Sequence, residues 1–177
     1  MKKNYKELLH HIKAFVFDID GVLTTGSFQI GPDGAPIRNL NSKDGYAMQL
    51  AIKKGYVVAV ISGGRCPGVK ASLQRLGLTD IYMGASHKTD SWEDFLAVYE
   101  HQNLQAENIL YMGDDIPDYP VMQKAGVACA PKNAVPEIRA LADYVSHTNG
   151  GEGCVRDIIE QTLKLQDNWM LDDDFAW

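Results

Sequence analysis

The sequence predicts an α/β fold: a doubly wound, mostly parallel, Rossmann-like sheet with helices on both faces. Short apolar runs typical of buried strands recur along the chain, and stretches with helically spaced apolar residues separate them. The chain has 177 residues, of which 45% are hydrophobic and 23% charged. Both values are typical of a globular domain of this length. We therefore expect one domain over residues 1–177, with no room for a second.

The apolar runs and the helical periodicity place the elements in order. The predicted strands are 14–17, 56–61, 81–83, 109–112, 127–130 and 144–145. The predicted helices are a short one within 1–13, then 47–54, 69–76, 88–102 and 155–165. Residues 22–40 are rich in Gly and Pro, and two short apolar stretches flank Gly-Pro-Asp-Gly at 31–34. This pattern predicts a β-hairpin flap directly after the first strand.

Charge and cysteine content exclude several classes of protein. The formal net charge of −6 disfavours a nucleic-acid partner held by electrostatics. No apolar run is long enough for a membrane-spanning helix, and the amino terminus lacks the apolar core of a signal sequence. Cys66, Cys129 and Cys154 are odd in number and widely spaced, which favours reduced thiols in the cytoplasm.

Two carboxylates follow the first predicted strand. Asp18 and Asp20 are two residues apart, so an extended chain directs both side chains to the same face, and Gly21 permits a sharp turn beyond them. Two carboxylates that face one way at a buried strand end repel each other unless positive charge lies between them. The local sequence offers no such charge, and a divalent cation would supply it.

Other polar groups follow the later strands. In a doubly wound sheet the ligand crevice lies beyond the carboxyl ends of the strands. Ser62 and two glycines follow the second strand, Lys88 follows the third, and Asp114 and Asp115 follow the fourth, with Asp118 close behind. Each motif alone has a structural explanation as a turn or a helix start. Together they supply the groups that phosphoryl transfer through a covalent aspartyl phosphate requires.

Charge assigns the expected roles. Asp18 and Asp114 would hold Mg²⁺ on one side of the phosphate. Lys88, the Ser62 hydroxyl and amides near Gly63 would neutralise the other side. Asp20 would protonate the leaving group and later take a proton from the hydrolytic water.

The four motifs in this order resemble the haloacid dehalogenase superfamily of aspartyl-phosphate hydrolases. Asp18 to Gly21 resembles its nucleophile motif, Ser62 its second motif, Lys88 its third, and Gly113 to Asp118 its fourth. The resemblance implies the same nucleophile and acid/base roles. It also implies that Asp20 touches the metal through its backbone carbonyl, and that Asp115 and Asp118 support the metal ligands.

Further segments resemble the small capless branch of sugar-acid phosphatases, which includes the 3-deoxy-D-manno-octulosonate 8-phosphate (KDO 8-phosphate) phosphatases. They lie at 20–24, 41–46, 112–115, 120–122 and 150–156. The resemblance implies Mg²⁺-dependent hydrolysis of a sugar-acid phosphate in lipopolysaccharide biosynthesis, and a homotetramer in which the flaps pack together. The substrate-binding residues it implies are Asn41, Ser42, Lys43, Asp44, Gly45, Gly63, Gly64 and Arg65.

Some positions depart from that branch. Its usual arginine after the second motif's glycine is Gly64 here, with Arg65 one place later, and two further arginines are replaced by Gln49 and Ser72. KDN 9-phosphate or a sialic acid 9-phosphate is therefore an alternative substrate. A receiver-like phosphoacceptor is disfavoured because the middle strand end carries no Asp, and a catalytically silent interaction module because the acidic motifs are intact. The tail at 167–177 is expected to pack on a neighbouring subunit or to be disordered.

Overall fold

The computed structural model describes residues 4–175, except for the side chain of Asp173. One sheet of parallel strands dominates it, in the order β5-β4-β1-β6-β7-β8. The strands are β1 (Ala14–Phe17), β4 (Val57–Ser62), β5 (Asp80–Met83), β6 (Ile109–Met112), β7 (Val127–Ala130) and β8 (Tyr144–Val145). The chain runs from β1 outward through β4 to β5 and then returns to the other side of β1. The expected α/β class is confirmed.

Helices cover both faces of the sheet because alternate strand residues point to opposite faces. Phe15 and Phe17 pack in the same apolar cluster as Ile158 and Leu163. The helices of that face are α1 (Tyr5–Leu9), α2 (Ser42–Lys53), α3 (Pro67–Arg75) and α7 (Cys154–Leu165). On the opposite face, Val16 shares a cluster with residues of α4 (Lys88–Tyr99), α5 (Tyr119–Met122) and α6 (Pro136–Leu141).

The predicted hairpin is present, with β2 (Gln29–Ile30) paired antiparallel to β3 (Pro36–Ile37). It joins β1 to α2 after a short helical turn at Ile19–Leu23, and in residues 4–175 no further sheet lies between β1 and α2. The apolar side chains of Phe28, Ile30 and Ile37 are 52%, 66% and 50% exposed. The flap therefore projects from the sheet with apolar side chains in solvent.

The structure corrects several element boundaries. The helix expected at 47–54 is α2, which begins five residues earlier, at Ser42, because Asn41 caps it by accepting a hydrogen bond from the Lys43 amide at 2.9 Å. Gly45 lies inside this helix, where its lack of a side chain allows the Leu76 side chain to approach. The helix expected at 88–102 ends at Tyr99, and a separate tight turn follows it. Helices α5 and α6 were not predicted.

The described part of the tail lies on its own chain. Asp174 forms an ion pair with Lys54 at 2.7 Å, and the guanidinium of Arg156 lies 5.2 Å from the ring centre of Trp169. The expectation that the tail packs on a neighbouring subunit remains a prediction, and Trp177 lies outside the described residues. No helix in residues 4–175 is both long enough and apolar enough to span a bilayer.

Candidate active site

The site lies where the carboxyl ends of β1, β4 and β6 meet, at the point where the strand order reverses. A crevice of about 340 Å³ opens there. Nine of the residues predicted to act or to bind line it: Asp18, Asp20, Ser62, Gly63, Gly64, Lys88, Asp114, Asp115 and Asp118. The structure therefore brings together groups that lie up to a hundred positions apart in the sequence.

Lys88 links two buried carboxylates. As the first residue of α4 it places Nζ 2.9 Å from Asp18 Oδ1 and 2.7 Å from Asp118 Oδ1. The three side chains are at most 8% exposed. Burial lowers the pKa of Lys88, but the charges of Asp18 and Asp118 outweigh burial and raise it overall. Lys88 is therefore a fixed positive charge beside Asp18.

Asp118 organises the loop after β6. Its Oδ1 accepts hydrogen bonds from Lys88 Nζ at 2.7 Å and from the Tyr111 hydroxyl at 2.6 Å. Its Oδ2 accepts from the backbone amides of Asp114 and Asp115, at 3.1 and 3.4 Å. Both oxygens are thus engaged within the protein. The sequence analysis gave Asp118 a supporting place but did not identify Tyr111 as its partner.

Asp114 has an oxygen without a partner. Its Oδ1 is buried and receives no hydrogen bond from the described residues. Its carboxylate packs against Gly21, which has φ +96° and where any side chain would collide with it. Burial raises the pKa of Asp114 to about 7, and the Asp118 charge adds to this effect while Lys88 opposes it. Burial, followed by the Asp118 charge, likewise raises the pKa of Asp18 well above its ordinary value.

These carboxylates fit a hard divalent cation. Oxygens of Asp18, Asp114 and Asp118 lie within 4.8 Å of one another. Because Asp118 already uses both oxygens, Asp18 and Asp114 are the better candidate ligands. A cation between Asp18 and Asp114 would engage the unpartnered Asp114 oxygen and would lower the raised pKa values of both carboxylates. An all-oxygen donor set of this kind suits Mg²⁺.

Ser62 is the last residue of β4, and its Oγ accepts a hydrogen bond from the Gly64 amide at 3.2 Å. Its own hydroxyl hydrogen remains available to an oxyanion in the crevice, where Lys88 also lies. Gly63 and Gly64 line the same wall and leave it free of side chains. The crevice thus contains one ammonium, which is paired with Asp18, and one hydroxyl beside the carboxylates.

Asp20 is held by a residue that the sequence analysis did not select. Arg38, one residue beyond β3, donates from Nε to Asp20 Oδ1 at 2.6 Å and from Nη2 to Asp20 Oδ2 at 2.9 Å. No local signal marks this pair, because the hairpin fold brings together residues that are 18 positions apart. The flap is therefore tied to the crevice by a bidentate ion pair.

Comparison with known proteins gives the family. Residues 79–158 match the haloacid dehalogenase-like hydrolase family. The chain is 35% identical over 156 residues to the 3-deoxy-D-manno-octulosonate 8-phosphate phosphatase KdsC of Salmonella typhi, covering 88% of this chain and 81% of that protein. The chain belongs to the haloacid dehalogenase-like hydrolases.

Solved structures of this hydrolase family superpose closely. The 3-deoxy-D-manno-octulosonate 8-phosphate phosphatase of Yersinia pestis matches with a TM-score of 0.89 and 31% identity, over 94% of this chain and 88% of that chain. The corresponding enzyme of Moraxella catarrhalis, solved in complex with magnesium, phosphate and KDO, matches with a TM-score of 0.87 and 27% identity, over 96% and 95% of the two chains.

Not all residues predicted to bind substrate reach the crevice of this hydrolase. Four of them line a separate cavity of about 260 Å³ at the start of α2: Asn41, Ser42, Asp44 and Gly45. Asp44 is 1% exposed and accepts a hydrogen bond at 2.7 Å from the Arg156 amide at the start of α7. Lys43 is exposed, and Arg65 is exposed and lies against Gly84. Their assignment to substrate binding remains a prediction.

Proposed function

We propose that the chain is a Mg²⁺-dependent phosphatase that hydrolyses the phosphate ester of a sugar acid, KDO 8-phosphate, to KDO and phosphate. The observation that carries the proposal is the meeting of Asp18, Asp20, Lys88 and Asp114 in one crevice. The similarity to KDO 8-phosphate phosphatases over most of the chain supports the same substrate.

Asp18 is the proposed nucleophile. Its carboxylate oxygen attacks phosphorus, the bond from phosphorus to the sugar oxygen breaks, and an aspartyl phosphate forms on Asp18. Lys88 Nζ, 2.9 Å from Asp18 Oδ1, lies where it would neutralise charge on the transferred phosphoryl group. The Ser62 hydroxyl would donate to a second phosphoryl oxygen.

Asp20 is the proposed acid and base. It gives a proton to the sugar alkoxide as that group leaves, and it then accepts a proton from the water that attacks the aspartyl phosphate. Hydrolysis restores the Asp18 carboxylate and releases phosphate. Its position two residues after Asp18, in the same crevice, fits both steps.

Mg²⁺ would be held by Asp18 and Asp114, with the Asp20 backbone carbonyl as a further ligand. When bound, it supplies positive charge that offsets the repulsion between the phosphate and the nucleophilic carboxylate. Asp115 and Asp118 support this part of the site: Asp118 binds the amides of Asp114 and Asp115.

The test is steady-state phosphate release with Mg²⁺ from KDO 8-phosphate, KDN 9-phosphate and arabinose 5-phosphate. Arabinose 5-phosphate has the phosphate-bearing end of the octulosonate without its carboxylate. We expect a preference for KDO 8-phosphate that is abolished in Asp18→Asn. Preference for the nine-carbon acid phosphate would support the proposed reaction but not the proposed substrate. No phosphate release from any ester would overturn the phosphatase assignment.

The proposal includes a homotetramer in which hairpins from neighbouring copies pack together. The exposed side chains of Phe28, Ile30 and Ile37 support it, since apolar groups gathered on one projecting flap favour contact with a second surface. Native mass spectrometry should show a tetramer, and Ile30→Asp should shift it toward smaller species. A wild-type monomer at micromolar concentration would refute this part.

We further propose that the enzyme acts in the cytoplasm, in lipopolysaccharide biosynthesis. Cys66, Cys129 and Cys154 are all free thiols in the structure, in keeping with a reducing compartment. Cell fractionation with an antibody against the native chain tests the location.

A further inference from the structure

Arg38 lies between two cavities. One is the catalytic crevice, which contains its partner Asp20. The other, of about 490 Å³, lies between the hairpin and the start of α3, and Arg38 itself lines it together with Leu40, Cys66 and Ser72. The guanidinium therefore connects the two cavities through its bond to Asp20.

Only one edge of the Arg38 guanidinium is used. Nε and Nη2 donate to Asp20, but Nη1 is buried and has no hydrogen-bond partner among the described residues. The Arg38 side chain is 7% exposed, so water has little access to it. The bond to Asp20 raises the pKa of Arg38, and the Cys66 sulfur adds to this as a weak hydrogen-bond acceptor.

The unused edge has a defined chemistry. A guanidinium that binds one carboxylate through Nε and Nη2 retains a second pair of parallel N–H groups, one on Nη1 and one on Nη2. Such a pair matches the two oxygens of a carboxylate. A buried charged donor without an acceptor is costly, so an anionic ligand on this edge would satisfy it.

Gly64 makes room for the ion pair between Arg38 and Asp20. A side-chain carbon at position 64 would lie 3.2 Å from Asp20 Oδ2 and 3.3 Å from Arg38 Nη2. Any larger side chain there would therefore compete with Arg38 for the same space. Because Gly64 also lines the catalytic crevice, the guanidinium lies at the border of that crevice.

We propose that Arg38 determines specificity by binding the carboxylate of the sugar-acid end of the substrate through its free edge, while Asp20 orients the guanidinium. The inference rests on the proposed function and deepens it. The phosphate and the carboxylate of an octulosonate 8-phosphate lie at opposite ends of its carbon chain. Asp18 and Lys88 take the phosphate end in the crevice, and Arg38, bound to Asp20, borders the second cavity.

The experiment compares Arg38→Met and Arg38→Lys with the wild type on KDO 8-phosphate and on arabinose 5-phosphate, at saturating Mg²⁺. Arg38→Met should lower kcat/KM for KDO 8-phosphate about 10- to 100-fold more than for arabinose 5-phosphate, mostly through KM, because a hydrogen-bonded charge pair contributes that much to binding. Arg38→Lys, which keeps the charge without the fork, should recover part of the difference. Arg139→Met, at an exposed site on α6, is the matched control. It should leave kcat/KM unchanged for both substrates.

The alternative is that Arg38 only holds Asp20. In that case the Arg38 variants lose the same factor in kcat with both substrates, and the ratio of the two kcat/KM values is unchanged. This result would overturn the inference and leave the phosphatase assignment intact. Failure of the wild type to hydrolyse any ester would instead overturn the assignment itself. Calorimetry with free KDO gives a second readout: folded Arg38→Met or Arg38→Lys that binds KDO as tightly as the wild type also refutes the inference.

Discussion

The hydroxyl of Tyr111 donates to the same oxygen of Asp118 that receives Lys88 Nζ, at 2.6 and 2.7 Å. Tyr111 is on β6 and is fully buried, so this bond fixes the position of Asp118 relative to a central strand. Burial and the Asp118 charge together raise the pKa of Tyr111 well above its ordinary value, so the hydroxyl remains a donor. Lys88 is thereby held at a fixed distance from Asp18.

Tyr111→Phe removes that donor and leaves the ring. We expect the free energy of unfolding to fall by about 1 kcal/mol and kcat to fall about threefold to tenfold, because Asp118 and Lys88 lose a fixed partner. Urea denaturation and steady-state kinetics measure the two effects. Tyr99→Phe is the matched control, since Tyr99 donates at 2.7 Å to Asp80 away from the crevice. An equal kcat loss in both variants would contradict the prediction.

Lys88→Met should abolish activity while the protein remains folded. Removing a donor that faces a developing oxyanion lowers kcat by about 100- to 1,000-fold. Lys88 is the only lysine among the described residues that line the crevice, so its loss should have at least as large an effect. Lys124→Met is the control because the Lys124–Glu93 pair is exposed, and it should retain full activity. Recovery of activity in Lys88→Met with added alkylamine would support the charge-neutralising role. A folded Lys88→Met with more than a tenth of wild-type kcat would refute it.

Mg²⁺ binding should strengthen as pH rises from 6 to 8. The pKa of Asp114 is raised to about 7 without metal, and that of Asp18 is also raised, so protons compete with the cation below this range. Isothermal titration at pH 6, 7 and 8 measures the effect. Asp114→Asn should weaken binding at least tenfold, whereas Asp115→Asn, whose oxygen accepts from the Ile116 amide, should weaken it far less. Affinity independent of pH would contradict this view of the site.

Asp44 should make the folded protein less stable at neutral pH than at pH 4. Burial raises its pKa to about 6, although amides at the start of α7 oppose the shift. The folded state therefore binds the proton more tightly than the unfolded state, and stability from this group is lost as pH rises from about 4 through 6. The full effect is about 3 kcal/mol.

Asp44→Asn keeps an oxygen for the Arg156 amide and removes the charge. The difference in unfolding free energy between this variant and the wild type should grow in favour of the variant between pH 4 and pH 7, with Mg²⁺ present at each pH. Urea titrations across this range measure it. A difference that stays constant with pH would show that Asp44 does not titrate there.

Deletion of residues 167–177 separates the two views of the tail. The ion pair of Lys54 with Asp174 and the contact of Trp169 with Arg156 predict a loss of stability in the truncated protein. A change in oligomer mass, measured by native mass spectrometry, would show that the tail also contacts a neighbouring subunit. Unchanged mass and activity would rule out that contact.

The sequence predicted the parts of the site that lie next to strands. The apolar runs predicted that Asp18, Ser62 and Asp114 lie at one edge of the sheet, because the carboxyl ends of parallel strands meet there. Lys88 was found for a similar reason, since it begins the helix after β5. These patterns are local in the sequence, and the topology of the sheet brings the residues together.

The contacts that the sequence did not reveal depend on folding between distant segments. The pairing of Arg38 with Asp20 depends on the path of the hairpin, which leaves no periodic signal. The early start of α2 was missed because Gly45 resembles a helix breaker, although Asn41 is a strong capping residue. Pro136 in the first turn and Arg139 near the end were signals for α6 that a short, partly exposed helix made easy to overlook.

The loop at Gly150 and Gly151 packs directly on the turn that follows the nucleophile, where the Gly151 amide donates to the Val22 carbonyl at 2.8 Å. Neither glycine has room for a side chain, because a carbon there would meet the backbone of Gly21 or Thr24. The first strand emerges from the ribosome early, but its neighbours β4 and β6 and this loop are made much later. The catalytic turn therefore becomes ordered only when most of the chain has been synthesised. A nascent chain that ends before Gly150 should be inactive even though it already carries every charged residue that lines the crevice.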